Sequence, residues 1–182
     1  MSLVPYILRF VVVFWSLVPG FALAQTQDDA GAHFGLMCNV VQVDGQLYDL
    51  VFDLDLGPGD WVVSSHSTDS MFGKFSLRFQ DPQAIEWIGS MEEVPTSKWE
   101  VEPFSQLDIK VIRQDTRIVQ RIAIDEAQRG DLHGEVFFVL EPMCTPFETT
   151  FTLTRDVPTA GPWRVMQTGS RSVFPEGLKS RH

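Results

Sequence analysis

The sequence predicts an all-β protein, an antiparallel β-sandwich or small barrel of roughly eight strands with room for one short helical turn. Three observations carry that expectation. Apolar side chains recur at every second position in several runs between Val41 and Thr154. Clusters of Gly, Pro, Asp and Ser separate these runs, and no amphipathic helices alternate with them.

In chain order, the first segment is "MSLVPYILRFVVVFWSLVPGFALAQ", with one positive charge at Arg9 and an apolar run from Phe10 to Val18 that Pro19 and Gly20 break. Ala22 and Ala24 then give the small-x-small pattern read by signal peptidase, so residues 1–24 are expected to be a signal peptide cleaved before Gln25. A retained anchor would need about 20 uninterrupted apolar residues, which this segment lacks. Residues 25–35 have no apolar periodicity and are expected to be a flexible lead.

The β domain is expected over residues 36–157. Val41 and Val43 lead through the turn signal Asp44-Gly45 to Tyr48, Leu50, Phe52, Leu54 and Leu56. Phe75, Leu77 and Phe79 alternate with Lys74, Ser76 and Arg78, and Trp87 lies in a further strand beside Ile88. Leu107, Ile109 and Val111 are separated by Gln114-Asp115-Thr116 from Ile118, Ile122 and Ile124, whose β-branching favours strand over helix. Val136 to Leu140 is a continuous apolar run, and "ETTFTLT" closes the patterned region. Only "DEAQRGD", residues 125–131, has the composition of a helical turn, and residues 158–182 are expected to be a loose tail.

The formal net charge of -10 repels phosphate backbones and anionic lipid, so nucleic acid and a membrane surface are poor partners. With the leader gone, no stable membrane insertion is expected, and the location becomes periplasmic or extracellular. The chain's two cysteines, Cys38 and Cys144, suit an oxidising compartment and are expected to pair. A bridge over a loop of about 100 residues would stabilise by up to about 4.7 kcal/mol in the chain-entropy picture. The single asparagine, Asn39, is in no glycosylation sequon, which leaves a bacterial periplasm as the simpler home.

The stretch "YDLVFDLDLGPGDW" raises the question of a cation site. A strand over 48–56 sends Tyr48, Leu50, Phe52, Leu54 and Leu56 to one face and Asp49, Asp53 and Asp55 to the other, so the carboxylates are expected on the wet face as charged edge protection. A calcium loop would need an acidic ligand where Gly57 stands, a glycine at Pro58 and a glutamate at Ser64.

Candidate chemistry is sparse. The repeated Met-Cys pairs at 37–38 and 143–144, with His33 nearby, form a soft donor set that would suit Cu(I), so His33, Met37 and Met143 make a candidate copper site. "SSHSTDS" places Ser64, His66 and Asp69 in one loop, a candidate ligand-binding loop and the only basis for a small hydrolase; no strained G-x-S-x-G turn surrounds these serines. His133, between glycines, reads as a turn histidine, and Glu92 and Glu93 form a nonspecific acidic pair. Trp61, Trp87, Trp99 and Trp163 could offer sugar-stacking platforms if two were exposed and coplanar, and otherwise pack the core.

The sequence therefore leads us to expect an exported, noncatalytic accessory module that binds an unknown protein or small ligand and carries no cofactor. A carbohydrate-binding module and a copper carrier are the alternatives.

Overall fold

The structure is a computed structural model describing residues 34–68, 73–102, 105–125, 127–157 and 160–172. Eleven strands are present among the described residues: β1 (Gly35–Asp44), β2 (Leu47–Asp55), β3 (Trp61–Val63), β4 (Ser76–Phe79), β5 (Ile85–Val94), β6 (Lys98–Val101), β7 (Asp108–Ile112), β8 (Thr116–Ile124), β9 (Leu132–Glu141), β10 (Thr145–Val157) and β11 (Ala160–Ser172). They form two antiparallel sheets packed face to face, an open sandwich rather than a closed barrel. One sheet has the order β1-β2-β8-β5. The other runs β11-β10-β9-β3-β7-β6, with β4 also paired to β9.

Period-two alternation explains the packing. On β2, Tyr48, Leu50, Phe52 and Leu54 are buried, and on β8 Ile118, Ile122 and Ile124 stand beside them. The larger sheet answers with Val62, Ile112, Val136, Phe138, Leu140, Phe151 and Leu153. Each such side chain contributes about 1.5–3 kcal/mol on full burial. Phenylalanines fill the centre: Phe75 stacks on Phe138 at 6.0 Å, and Phe52 meets Phe151 edge-on at 5.8 Å.

The β1–β2 hairpin turns at Gly45, whose φ of 49° explains the glycine after Asp44. Gln120 is a buried polar residue on the inner side of β8. The pairing of β5 skips from Ile88 to Glu92 across it, and its amide nitrogen donates to the carbonyls of Ile88 (3.4 Å) and Arg121 (2.8 Å). A bulge thereby satisfies a buried amide that regular pairing would strand.

Several expectations are corrected. Among the described residues there are eleven strands against the roughly eight expected, because β3 and β6 are only three or four residues long and β11 falls in the expected tail. Among the described residues of 125–131 there is no helix, and the Gln128 amide donates to the Asp125 carbonyl across one turn. Part of the expected loose tail, 160–172, is strand β11, paired along β10, with Trp163 buried in the core. The wet face of β2 is as expected, but β2 is not an edge. It lies between β1 and β8, and its aspartates face arginines: Asp49 opposite Arg121 and Asp53 opposite Arg117, each ion pair at 2.7 Å.

The expected disulfide is absent, and both cysteines are free thiols that are not close together. Register separates them. Cys38 lies opposite Phe52 on the inner side of β1, packed against the core, whereas Cys144 occupies the exposed β9–β10 turn with a φ of 50°. Burial pushes the Cys38 thiol up to about 12, and the Cys144 thiol donates to the Glu141 carboxylate at 3.2 Å.

β1 packs beside β11 at one flank, and β5 approaches the end of β3 at the other. Beyond β3 the larger sheet continues with β7 and then β6, the terminal strand among the described residues.

Candidate functional site

The polar residues of the β3–β7–β6 flank converge just after β3. Ser64 follows Val63, and its amide donates to the Lys110 carbonyl (2.9 Å), which continues the β3–β7 ladder by one residue. The Ser64 side chain is fully buried, and its hydroxyl donates to the Glu93 carboxylate at 2.7 Å. Its lone pairs receive the His66 amide (3.0 Å) and the Ser97 hydroxyl (3.0 Å). Ser65 adds a further donor to Glu93 at 3.2 Å.

Both the hydrogen and the lone pairs of the Ser64 hydroxyl are thus engaged, and its buried oxygen cannot approach a substrate carbonyl without dismantling the network. The arrangement ties three separate segments together: the loop after β3, the inner side of β5 and the loop before β6. Such a network is stabilising because every member has a partner. Of the candidate loop, Ser64 and His66 join this network, His66 through its backbone; Asp69 lies outside the described residues. Glu93, set aside in the sequence as one of a nonspecific pair, is the group that organises it. The signal was its place opposite buried Ile118, which only the strand register reveals.

Beside the network, Pro95, Ser97, Lys98, Glu100, Arg113 and Thr116 help line a groove of about 130 Å3. Arg113 spans this flank. It forks onto Glu100 with bonds of 2.9 and 2.7 Å and lies over the Trp61 ring at 5.1 Å. The hydrogen bond from Arg113 holds the Glu100 carboxyl below its ordinary value and raises the guanidinium in return. Opposite on the β6–β7 ladder, Lys110 lies over Trp99 at 5.4 Å. A second, more open depression of about 250 Å3 is bordered by Asp53, Asp55, Val94, Asp115 and Arg117.

The four tryptophans of the expected β domain and tail, Trp61, Trp87, Trp99 and Trp163, divide. Trp163 is buried, with the Arg155 guanidinium 4.4 Å from its ring centre, and Trp61 is half-buried against Val63, Ile109 and Val111. Trp87 and Trp99 are exposed but stand on different sheets, Trp87 against Phe79 and Trp99 beneath Lys110. His133 is a strand residue of β9 rather than a turn residue, and its Nδ1 is 3.1 Å from the Thr152 hydroxyl across the β9–β10 pair.

The proposed copper donors do not assemble through a cysteine bridge. Met37 is exposed opposite Asp53 on the outer face, Met143 is exposed on the β9–β10 turn, and His33 lies outside the described residues. Among the described residues no three His, Cys, Asp or Glu side chains are grouped to hold a metal ion. Comparison with known proteins adds no relative: no family model, curated protein or solved structure matches the chain.

Proposed function

We propose that the chain is exported, loses residues 1–24, and acts without catalysis as a protein-contact module whose working surface is the β3–β7–β6 flank. The leader pattern supports export. One observation carries the contact role: Trp99 and Val101, on the terminal strand of the larger sheet, are 53% and 56% exposed. Exposed tryptophan on a regular strand is a feature of recognition surfaces, where large rigid rings act as anchors. The described depressions, at about 130 and 250 Å3, are smaller than the roughly 300–1,000 Å3 of small-molecule sites, which favours a flat contact over an enclosed ligand.

Photo-cross-linking in the producing cell tests this reading. A benzophenone side chain placed at Trp99 is expected to give a polypeptide adduct, and the same group at exposed Glu86 on β5 is not. Adducts at neither position, or equally at both, would overturn the proposal.

A further inference from the structure

The occupant of the β6 edge follows from backbone direction and charge order. In an antiparallel ladder, opposed residues alternate between those that exchange hydrogen bonds and those that turn their polar groups to the outer neighbours. The Lys110 carbonyl accepts from Ser64, so the backbone of Lys110 faces β3. Its β6 partner is Trp99, whose N–H and C=O therefore face away from β7. The Glu102 amide donates to the Leu107 carbonyl at 2.9 Å, which places the preceding residue, Val101, in the same outward phase as Trp99. The terminal strand thus presents the amides and carbonyls of Trp99 and Val101 at the open edge of the larger sheet. Unpaired edges of this kind template the addition of another strand.

The residues on β6 select what is added. The order Lys98-Trp99-Glu100 is complementary to itself when two copies run antiparallel about Trp99: Lys98 faces Glu100 of the second copy, Glu100 faces its Lys98, and the two tryptophans stand opposite each other. A parallel pairing in register would instead set lysine against lysine and glutamate against glutamate, which is destabilising. Long-range repulsion also bears on the choice, because each chain carries a formal net charge of -10. The three described lysines, Lys74, Lys98 and Lys110, all belong to this flank: the Lys74 ammonium donates to the Ser67 carbonyl, and the Ser67 hydroxyl accepts from the Lys110 amide. Around β6 and β7, Lys98, Lys110 and Arg113 thus offset Glu100, Glu102 and Asp108, so the formal charge is balanced where the two copies would meet.

We propose that a second copy of this chain adds at β6, through an antiparallel β6–β6 contact centred on Trp99, giving a two-fold dimer with a continuous sheet. A two-fold axis is the commonest way for identical chains to close. This inference rests on the contact reading above and names its partner.

Sedimentation velocity of the secreted chain across the micromolar range tests it. The native chain is expected at twice its monomer mass. Lys98→Glu and Glu100→Lys each place like charges across the contact and are expected to sediment as monomers. An equal mixture of the two restores opposite charges and is expected to recover the dimer. Because Glu100→Lys also breaks the Arg113 pair, Trp99→Ser provides a second variant at an exposed position, expected to be folded by circular dichroism and monomeric. A native chain that stays monomeric overturns the proposal, as does a dimer that survives both charge reversals. A monomer that still gives an adduct to a different polypeptide from position 99 would sink the self-pairing and leave the contact role standing. Absence of any adduct at 99 would sink the contact role itself.

Discussion

The hydroxyl of Ser64 lies 2.7 Å from the carboxylate of Glu93, a bond across 29 positions of sequence that ties the end of β3 to the inner side of β5. Both groups are buried, and this is the shorter of the side-chain hydroxyl bonds that Glu93 accepts from Ser64 and Ser65. A hydrogen bond to a charged acceptor contributes about 1.5–3 kcal/mol, and removing one partner leaves the other desolvated. Ser64→Ala is therefore expected to lower the unfolding free energy by about that amount, read from the urea midpoint. Ser65→Ala, which removes only the longer 3.2 Å bond, is expected to cost less. Equal losses from the two would show that the buried hydroxyl is not the key member.

How far the sequence revealed this molecule depends on the length of each element. The faces of β2 and β8 were legible because nine residues of alternation separate Leu50, Phe52, Ile118 and Ile122 from their charged neighbours. β6 was not legible, because the alternation of "KWEV" lasts only four residues and reads equally as a loop. The cysteine pairing failed for a different reason. Spacing gives the size of a loop but not the direction of a side chain, and Cys38 points into the core while Cys144 stands on a turn. Glu93 was missed because a carboxylate beside another carboxylate looks solvated until its strand is paired. Ser64 and His66 were named as members of one loop, but the bond between them, the His66 amide donating to the Ser64 hydroxyl, is backbone geometry that composition does not show.

The two thiols are expected to differ sharply in reactivity. Cys38 is pushed up to about 12 by burial and should resist alkylation in the folded chain, becoming reactive only in denaturant. Cys144 is exposed, so iodoacetamide should reach it, but hydrogen bonding to Glu141, together with desolvation and the carboxylate's charge, raises its pKa above the ordinary 9.0. Glu141→Gln removes the negative charge beside the sulfur and should move the labelling profile of Cys144 to lower pH. An unchanged profile would mean that Glu141 does not govern this thiol. Intact mass of freshly isolated protein should show both cysteines available to the label after denaturation without reductant.

Gly134 lies directly under the ring of Phe151, its partner across the β9–β10 ladder. A methyl group there would fall within the ring, and Phe151 cannot retreat because Phe52 and Phe79 pack against it at 5.8 and 5.6 Å. Gly134→Ala is expected to destabilise by at least the roughly 1–3 kcal/mol typical of overpacking a tight core. Gly130→Ala serves as the control, since the nearest atom to its added carbon, the Gln128 amide nitrogen, is 4.0 Å away. A thermal melt in which both variants lose the same amount would show that Phe151 can rearrange.

The Arg113–Glu100 fork should make stability depend on acidity in a defined direction. Because the hydrogen bond from Arg113 holds the folded carboxyl below its ordinary value of 4.5, the unfolded chain binds a proton at Glu100 more readily than the folded one. The stabilisation is therefore complete above the unfolded value and is lost as pH falls through the folded one. Glu100→Gln, which cannot titrate, should be less stable than the native chain at neutral pH, and the gap should narrow as the medium is acidified below 4.5. Partial exposure and salt screening keep the effect modest, so it should also shrink in high salt. Chemical denaturation of both chains at neutral and acidic pH measures the gap. A difference that stayed constant, or widened in acid, would mean that the fork contributes through packing on Trp61 rather than through charge.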